Sequence, residues 1–136
     1  MKILIVEDNP VNYRLLQKIL EEYGDCEVAV NGKEGLIAYE KSCADNDPID
    51  LIFLDIKMPE MNGHELLALI RKDEERRGVA KGDQVKVVIE SIVSSQESIF
   101  KGFDAGALFY FVKPYGTTEL ESLVKELGLV KKAERQ

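Results

Sequence analysis

Five short segments of this 136-residue chain carry side chains that could act on one group. They hold the acid pair Glu7-Asp8, the lone Asp55, the hydroxyl of Ser91, the aromatic Tyr110 and the amine of Lys113 ahead of Pro114. Carboxylates, one hydroxyl and one amine suit an aspartate that carries a phosphoryl group beside a hard divalent cation. A carboxylate attacks phosphorus effectively once a cation neutralises the incoming oxygens. Glu7, Asp8 and Asp55 would otherwise repel and raise one another's pKa. Mg²⁺ resolves this, because it takes oxygen ligands in octahedral geometry and keeps several waters; Mn²⁺ is the alternative ion. Lys113 would add positive charge to the bound phosphoryl group, and Ser91 a hydroxyl donor.

Those residues need a frame that brings them together. Apolar, β-branched runs alternate with helical periodicity five times, predicting strands at Ile3–Glu7, Glu27–Val30, Leu51–Leu54, Val85–Glu90 and Leu108–Val112. Leu51-Ile52-Phe53-Leu54 is apolar throughout, as a strand covered on both faces must be. The first helix follows Asp8-Asn9, with Pro10 in its first turn, and closes at Gly24. A second runs from about Lys33 to Ser42, and a third follows Asn62-Gly63. A fourth starts near Ser94 with Glu97 three residues on, and a fifth near Thr118 with Glu121 in the same relation, both fitting a capping box. Lys72–Gln84 reads as a frayed helix end and surface loop, with Glu74-Glu75-Arg76-Arg77 as solvated surface.

Five β–α units with right-handed crossovers give a parallel α/β sheet with helices on both faces. The flavodoxin-like, doubly wound order 2-1-3-4-5 is the one common to this fold class. In that order the first and third strands adjoin. Glu7, Asp8 and Asp55 then meet at the carboxyl edge of the sheet, where ligands of such folds collect. The expected organisation is one domain over 1–128 and a short tail over 129–136, with no output domain.

The net charge of −7 argues against a nucleic-acid surface and suits a protein partner or a cation. No apolar run approaches the ~20 residues of a membrane span. Met1–Val6 has only a four-residue apolar run with acids directly after it, so it reads as a strand rather than a signal peptide. Cys26 and Cys43 read as reduced thiols of a cytoplasmic protein, and no Cys/His cluster suggests zinc or iron–sulfur. His64 is the only histidine and is placed on the surface. The aromatics Phe100, Phe103, Phe109, Phe111 and Tyr115 are assigned mainly to the core, although an exposed aromatic patch around Phe109 fits a partner face.

Several ordered motifs together resemble the receiver domains of two-component response regulators, from about Lys2 to Gly128. They are Ile3–Asn9, Leu54–Pro59, Met61-Asn62-Gly63, Gly102–Ala107 and Lys113-Pro114. The resemblance implies that Asp55 accepts phosphate from a histidine kinase or phosphotransfer protein. It implies that Glu7 and Asp8, with the backbone carbonyl of Lys57, hold Mg²⁺ beside Asp55. Ser91 and Tyr110 are implied to switch together, with Lys113 on the phosphoryl group. It also implies a downstream protein, or a second copy in a homodimer, at the face of the fourth helix, fifth strand and fifth helix. Catalysis would be limited to the domain's own phosphorylation and dephosphorylation.

Three positions depart from the common pattern: Ile92 stands where a small residue is usual, Glu90 where an apolar one is, and Phe109 where a polar one is. Ser94 could supply the hydroxyl, but the spacing to Gly102–Gly106 favours Ser91. Lys57, Ile92 and Val93 would form a crowded, partly apolar entrance, implying slow loss of phosphate. A haloacid-dehalogenase phosphatase would need an acid two residues past Asp55, where this chain has Lys57. The acid cluster would repel a flavin phosphate. A receiver-like binding module that works without phosphorylation is the remaining alternative.

Overall fold

Strand β3 (Leu51–Leu54) is the centre of the structure, a computed structural model that describes residues 1–134, and all four of its side chains are buried. It lies between β1 (Lys2–Val6) and β4 (Lys86–Ser91), with β2 (Asp25–Ala29) beyond β1 and β5 (Phe109–Val112) beyond β4. All pairings are parallel and the order is β2-β1-β3-β4-β5, as the sequence suggests. Parallel neighbours require long crossovers, and the helices supply them: α1 (Pro10–Leu20), α2 (Gly32–Ala44), α3 (Gly63–Arg76), α4 (Gln96–Asp104) and α5 (Thr117–Glu126).

Strand alternation splits the core in two. Leu4, Val6, Ile52, Leu54, Val87 and Ile89 face Tyr39 of α2 and Leu66, Leu67 and Ile70 of α3. Ile3, Ile5, Leu51, Phe53 and Val88 face Leu16 and Leu20 of α1 and Leu120, Leu123 and Val124 of α5. Helix α4 joins the first of these faces through Gly102, where a Cβ would come within 2.6 Å of the Ile89 side chain. A larger residue there would have to push the Ile89 side chain aside.

The caps explain where the helices begin. The Asn9 side chain accepts from the N–H groups of Val11 and Asn12 at 2.9 and 3.2 Å. Asn62 and Glu65 form a reciprocal capping box at α3. Two expected starts are corrected. Ser95, not Ser94, caps α4 by accepting from Ser98 N–H at 3.2 Å, after a loop in which Val93 is bonded to both Ser91 and Tyr110. Helix α5 begins at Thr117, with Glu119 rather than Glu121 accepting from Gly116 N–H. Strand β2 is also displaced, to Asp25–Ala29, because as an edge strand it carries polar residues that blur the apolar run.

The segment read as solvated surface contains a buried acid. Glu74 is 2% exposed, and its carboxylate accepts from Arg71 at 2.7 Å and from Val85 N–H at 2.7 Å. Arg71 also donates to the carbonyls of Val85 and Ala105. Sequence shows the charges of this stretch but not the backbone N–H that needs an acceptor as the chain enters β4. Asp73, one residue earlier, takes Arg76, Arg77 and the Tyr39 hydroxyl. The described part of the expected tail folds back on the α1–β2 corner: Lys132 N–H donates to Glu22 O at 2.7 Å and its amine pairs with Asp25 at 3.0 Å. Arg135 and Gln136 lie outside the described residues. Among the described residues no helix is long and apolar enough to cross a membrane.

Glu74→Ala should lower stability by roughly 3 kcal/mol, since it strands Arg71 and a buried N–H, while Glu74→Gln should lose less. Urea unfolding measures both; a change under about 0.5 kcal/mol for Glu74→Ala would return Glu74 to the class of ordinary surface residues.

Candidate functional site

The pairing of Val6 with Leu54 sets the carboxyl ends of β1 and β3 side by side. Glu7 and Asp55, the next residue of each, are anchored by N–H bonds to Ala29 O and Val6 O at 3.0 and 2.9 Å. Beyond Asp55 the chain doubles back, with Gly63 N–H donating to Ile56 O at 2.9 Å. A side chain at Gly63 would strike the backbone of Asp55 and Ile56, so glycine here is what allows the loop to close. Lys57 N–H donates to Asp55 Oδ1 at 3.3 Å and orients the carboxylate.

Glu7, Asp8 and Asp55 each place a carboxylate oxygen within 4.8 Å of the others. Glu7 and Asp55 are buried and Asp8 is exposed. Together with Asn9, Asn12, Lys57, Ile92 and Lys113 they line a cleft of about 170 Å³. Lys113 reaches in from the end of β5 and contacts Glu7, with Glu90 at 3.3 Å and Asp55 at 3.5 Å.

One ammonium among so many carboxylates leaves negative charge uncompensated. Burial, and then Glu7 beside it, push the Asp55 carboxyl up to about 7, against the opposing pull of Lys113 and the Lys57 N–H. Burial also acts to raise Glu7, but its bonds to Lys113 and Asp55 outweigh that and leave it low. Asp8 is raised by burial and by Glu7. Burial drives Glu90 up to about 9, reinforced by Glu7. Three hard oxygen donors with excess negative charge fit a divalent cation such as Mg²⁺.

The expected switch residues are tied to the loop between β4 and α4, not to Asp55. The buried Ser91 hydroxyl accepts from Val93 N–H at 3.1 Å. Tyr110 points inward, its hydroxyl donating to Val93 O at 2.6 Å. The same hydroxyl lies 2.8 Å from Ser98 Oγ, which lies 2.9 Å from His64 Nε2. A carbonyl only accepts, so the Tyr110 proton is committed to Val93. Ser98 must then donate to Tyr110, and His64 must donate through Nε2–H to Ser98. The chain of bonds therefore has one direction and fixes the protonated nitrogen of His64. Burial, then nearby Lys101, lower the His64 pKa, so the neutral Nε2–H form is the one held.

Sequence reasoning missed this relay: His64 is half-buried, not a surface residue, and nothing in the pattern singles out Ser98. It noticed Glu90 as an oddity but did not connect it with Lys113. Two further expectations are corrected. Phe100 and Phe103 are 71% and 48% exposed, because Ser98 and Gly102 take the inner face of α4. Val93 packs against the α2–α3 side of the core and leaves Ile92, 58% exposed, alone with Lys57 at the cleft mouth. Phe109 and Phe111 are half-buried on the α1–α5 side, with Phe111 beside the Tyr115 ring at 5.3 Å.

A five-stranded flavodoxin-like sheet with an acid cluster, a lysine and a hydroxyl–tyrosine pair at its carboxyl edge defines a phosphoacceptor switch of two-component signalling. The response regulator receiver domain family matches residues 3–125, and the chain belongs to that family. It is 33% identical over 129 residues to hybrid signal transduction histidine kinase L of Dictyostelium discoideum, covering 93% of this chain and 7% of that protein. The chain thus spans only a small part of this relative. A solved CheY-like response regulator receiver domain protein from Methanospirillum hungatei is 31% identical, with TM-score 0.74 over 93% of this chain and 91% of that one. A Thermotoga maritima response regulator solved with Mg²⁺ and beryllofluoride is also 31% identical, with TM-score 0.72 over 93% and 97%.

Ser98→Ala should free the Tyr110 hydroxyl from its second partner, costing about 1 kcal/mol and raising the outward population of the ring. The Tyr110 ring resonances in solution NMR report this; an unchanged ring environment would show that Val93 O alone holds it.

Proposed function

We propose that Asp55 is the phosphoacceptor. The observation that carries this reading is a buried Asp55, held by Lys57 N–H and facing Lys113 at 3.5 Å, beside two further acids just past the end of the adjoining strand. An Asp55 oxygen attacks the phosphorus of a phosphohistidine on a kinase or phosphotransfer protein. The P–O bond forms as the P–N bond breaks, and the imidazole, already protonated on its other ring nitrogen, leaves as a neutral ring. Glu7, Asp8, Asp55 and the carbonyl of Lys57 would hold Mg²⁺, for which Mn²⁺ could substitute. Bound there, the ion supplies charge neutralisation at the transferred group.

The modified side chain carries more negative charge than the carboxylate it replaces. Lys113 then moves its ammonium toward the phosphoryl oxygens, and the Ser91 hydroxyl turns its proton to donate to them. Both changes pull on the loop between β4 and α4, whose Val93 carbonyl holds Tyr110. A partner protein that binds one loop arrangement better than the other reads the change at the α4–β5–α5 face, where Phe100 and Phe103 are exposed. A second copy meeting through this face is the homodimer form of the same reading. The receiver domain extends over 1–128 and acts in the cytoplasm.

Incubation with Mg²⁺ and a small acyl-phosphate donor, followed by intact mass, tests the acceptor. One phosphoryl group should appear on the wild type and none on Asp55→Asn. Ile92 and Lys57 crowd the approach of water, so the adduct should decay slowly, and several-fold faster in Ile92→Ala. If neither a donor nor a partner kinase labels Asp55, the phosphate-independent binding module becomes the better account.

A further inference from the structure

Strand β4 carries one acid where its neighbours are apolar. Glu90 is fully buried between Val88 and the end of the strand, on the face turned toward α1 and α5. Its Oε2 accepts from the Tyr115 hydroxyl at 3.3 Å and lies 3.3 Å from Lys113 Nζ. Its Oε1 is buried and has no hydrogen-bond partner among the described residues. Asn12, Leu16, Ile92, Pro114 and Tyr115 surround it and Lys113 in a cavity of about 290 Å³.

A buried carboxyl group so poorly partnered relies on the strongest donor it touches, the Lys113 ammonium. Losing that donor would leave Oε2 with only the long bond from Tyr115. Lys113 is consequently held from two sides, and Glu7 and Glu90 both lie nearer its ammonium than Asp55 does. The ammonium that should meet a phosphoryl group on Asp55 is thus engaged elsewhere before the group arrives.

We propose that Glu90 is a positioning residue of the phosphorylation site, acting through Lys113: it competes with the group on Asp55 for the ammonium and limits how tightly the site holds that group. The proposal rests on Asp55 being the acceptor. It makes the unusual acid of β4 a control on switching, one that weakens the phosphorylated arrangement and leaves the partner to supply the remainder. Glu7 and Asp55 also face Lys113, but both belong to the acceptor site itself. Glu90 faces the ammonium from outside it.

The test is the affinity for beryllofluoride in the presence of Mg²⁺, followed by the amide resonances of the β3–α3 loop. Glu90→Leu keeps much of the bulk but removes the acceptor oxygen that faces Lys113. It should bind several-fold tighter than the wild type, and Glu90→Val should move in the same direction should the leucine variant fold poorly. In a Lys113→Met background the same Glu90→Leu change should alter affinity less than twofold. A role confined to packing would not depend on Lys113. Equal or weaker binding by both Glu90 variants, or a gain that persists without Lys113, overturns the proposal while leaving Asp55 as the acceptor. Failure of the wild type itself to bind overturns the acceptor reading, and this proposal with it.

Discussion

The ammonium of Lys113 is the contact on which the site depends. It faces Glu7, Asp55 and Glu90 at once, and no other cation among the described residues pairs with any of them. Buried carboxylates without a counter-charge take up protons or force the surrounding structure apart. Lys113 prevents this only in part. The cleft remains too negative, and that residual charge makes a divalent cation welcome and a phosphoryl group something that must arrive with one.

The sheet holds this tension in place. The three buried carboxyl groups Glu7, Asp55 and Glu90, at or just past the ends of β1, β3 and β4, cannot retreat, because each strand is fixed by a buried neighbour and by apolar packing on both faces. The cost follows from linkage. Asp55 and Glu90 have raised folded-state pKa values, so the fold binds more protons than the unfolded chain once pH exceeds their ordinary range. Their contribution to stability is therefore complete at low pH and lost as pH rises through about 7 for Asp55 and about 9 for Glu90. Near neutrality the cation-free site is destabilised in this way, and a divalent cation on the acids relieves it. A destabilised site beside a loop held by one hydrogen bond from Val93 N–H to Ser91 and one from Tyr110 to Val93 O is well placed to exist in two arrangements.

Much of this was legible in the residues. The alternation of Leu51–Leu54 with helical stretches requires a two-sided parallel sheet, and the positions of Glu7 and Asp55 then follow from register. Asn9 and Asn62 announce their helices because capping is local chemistry. Ser94 and Thr118 misled for the same reason, since the chain enters α4 and α5 at Ser95 and Gly116, of which only Ser95 caps with its side chain. Contacts between residues far apart in the chain left no such mark. Glu74 looks like any helix-surface acid until β4 presents Val85 N–H to it. Ser98 looks like an ordinary helix residue until Tyr110 and His64 close on it from other elements. Glu90 was visible as an anomaly, but its meaning required knowing that Lys113 swings back across β4.

The most direct test is a carbon-13 NMR titration of the Asp55 carboxyl, with and without Mg²⁺. In the absence of divalent cation the midpoint should lie near 7, and saturating Mg²⁺ should bring it below the ordinary aspartate value of 3.8. A midpoint near 3.8 without the cation, unmoved by Mg²⁺, would contradict the account. It would mean that Lys113 already balances the cleft and that Asp55 carries no strain for a cation or a phosphoryl group to relieve.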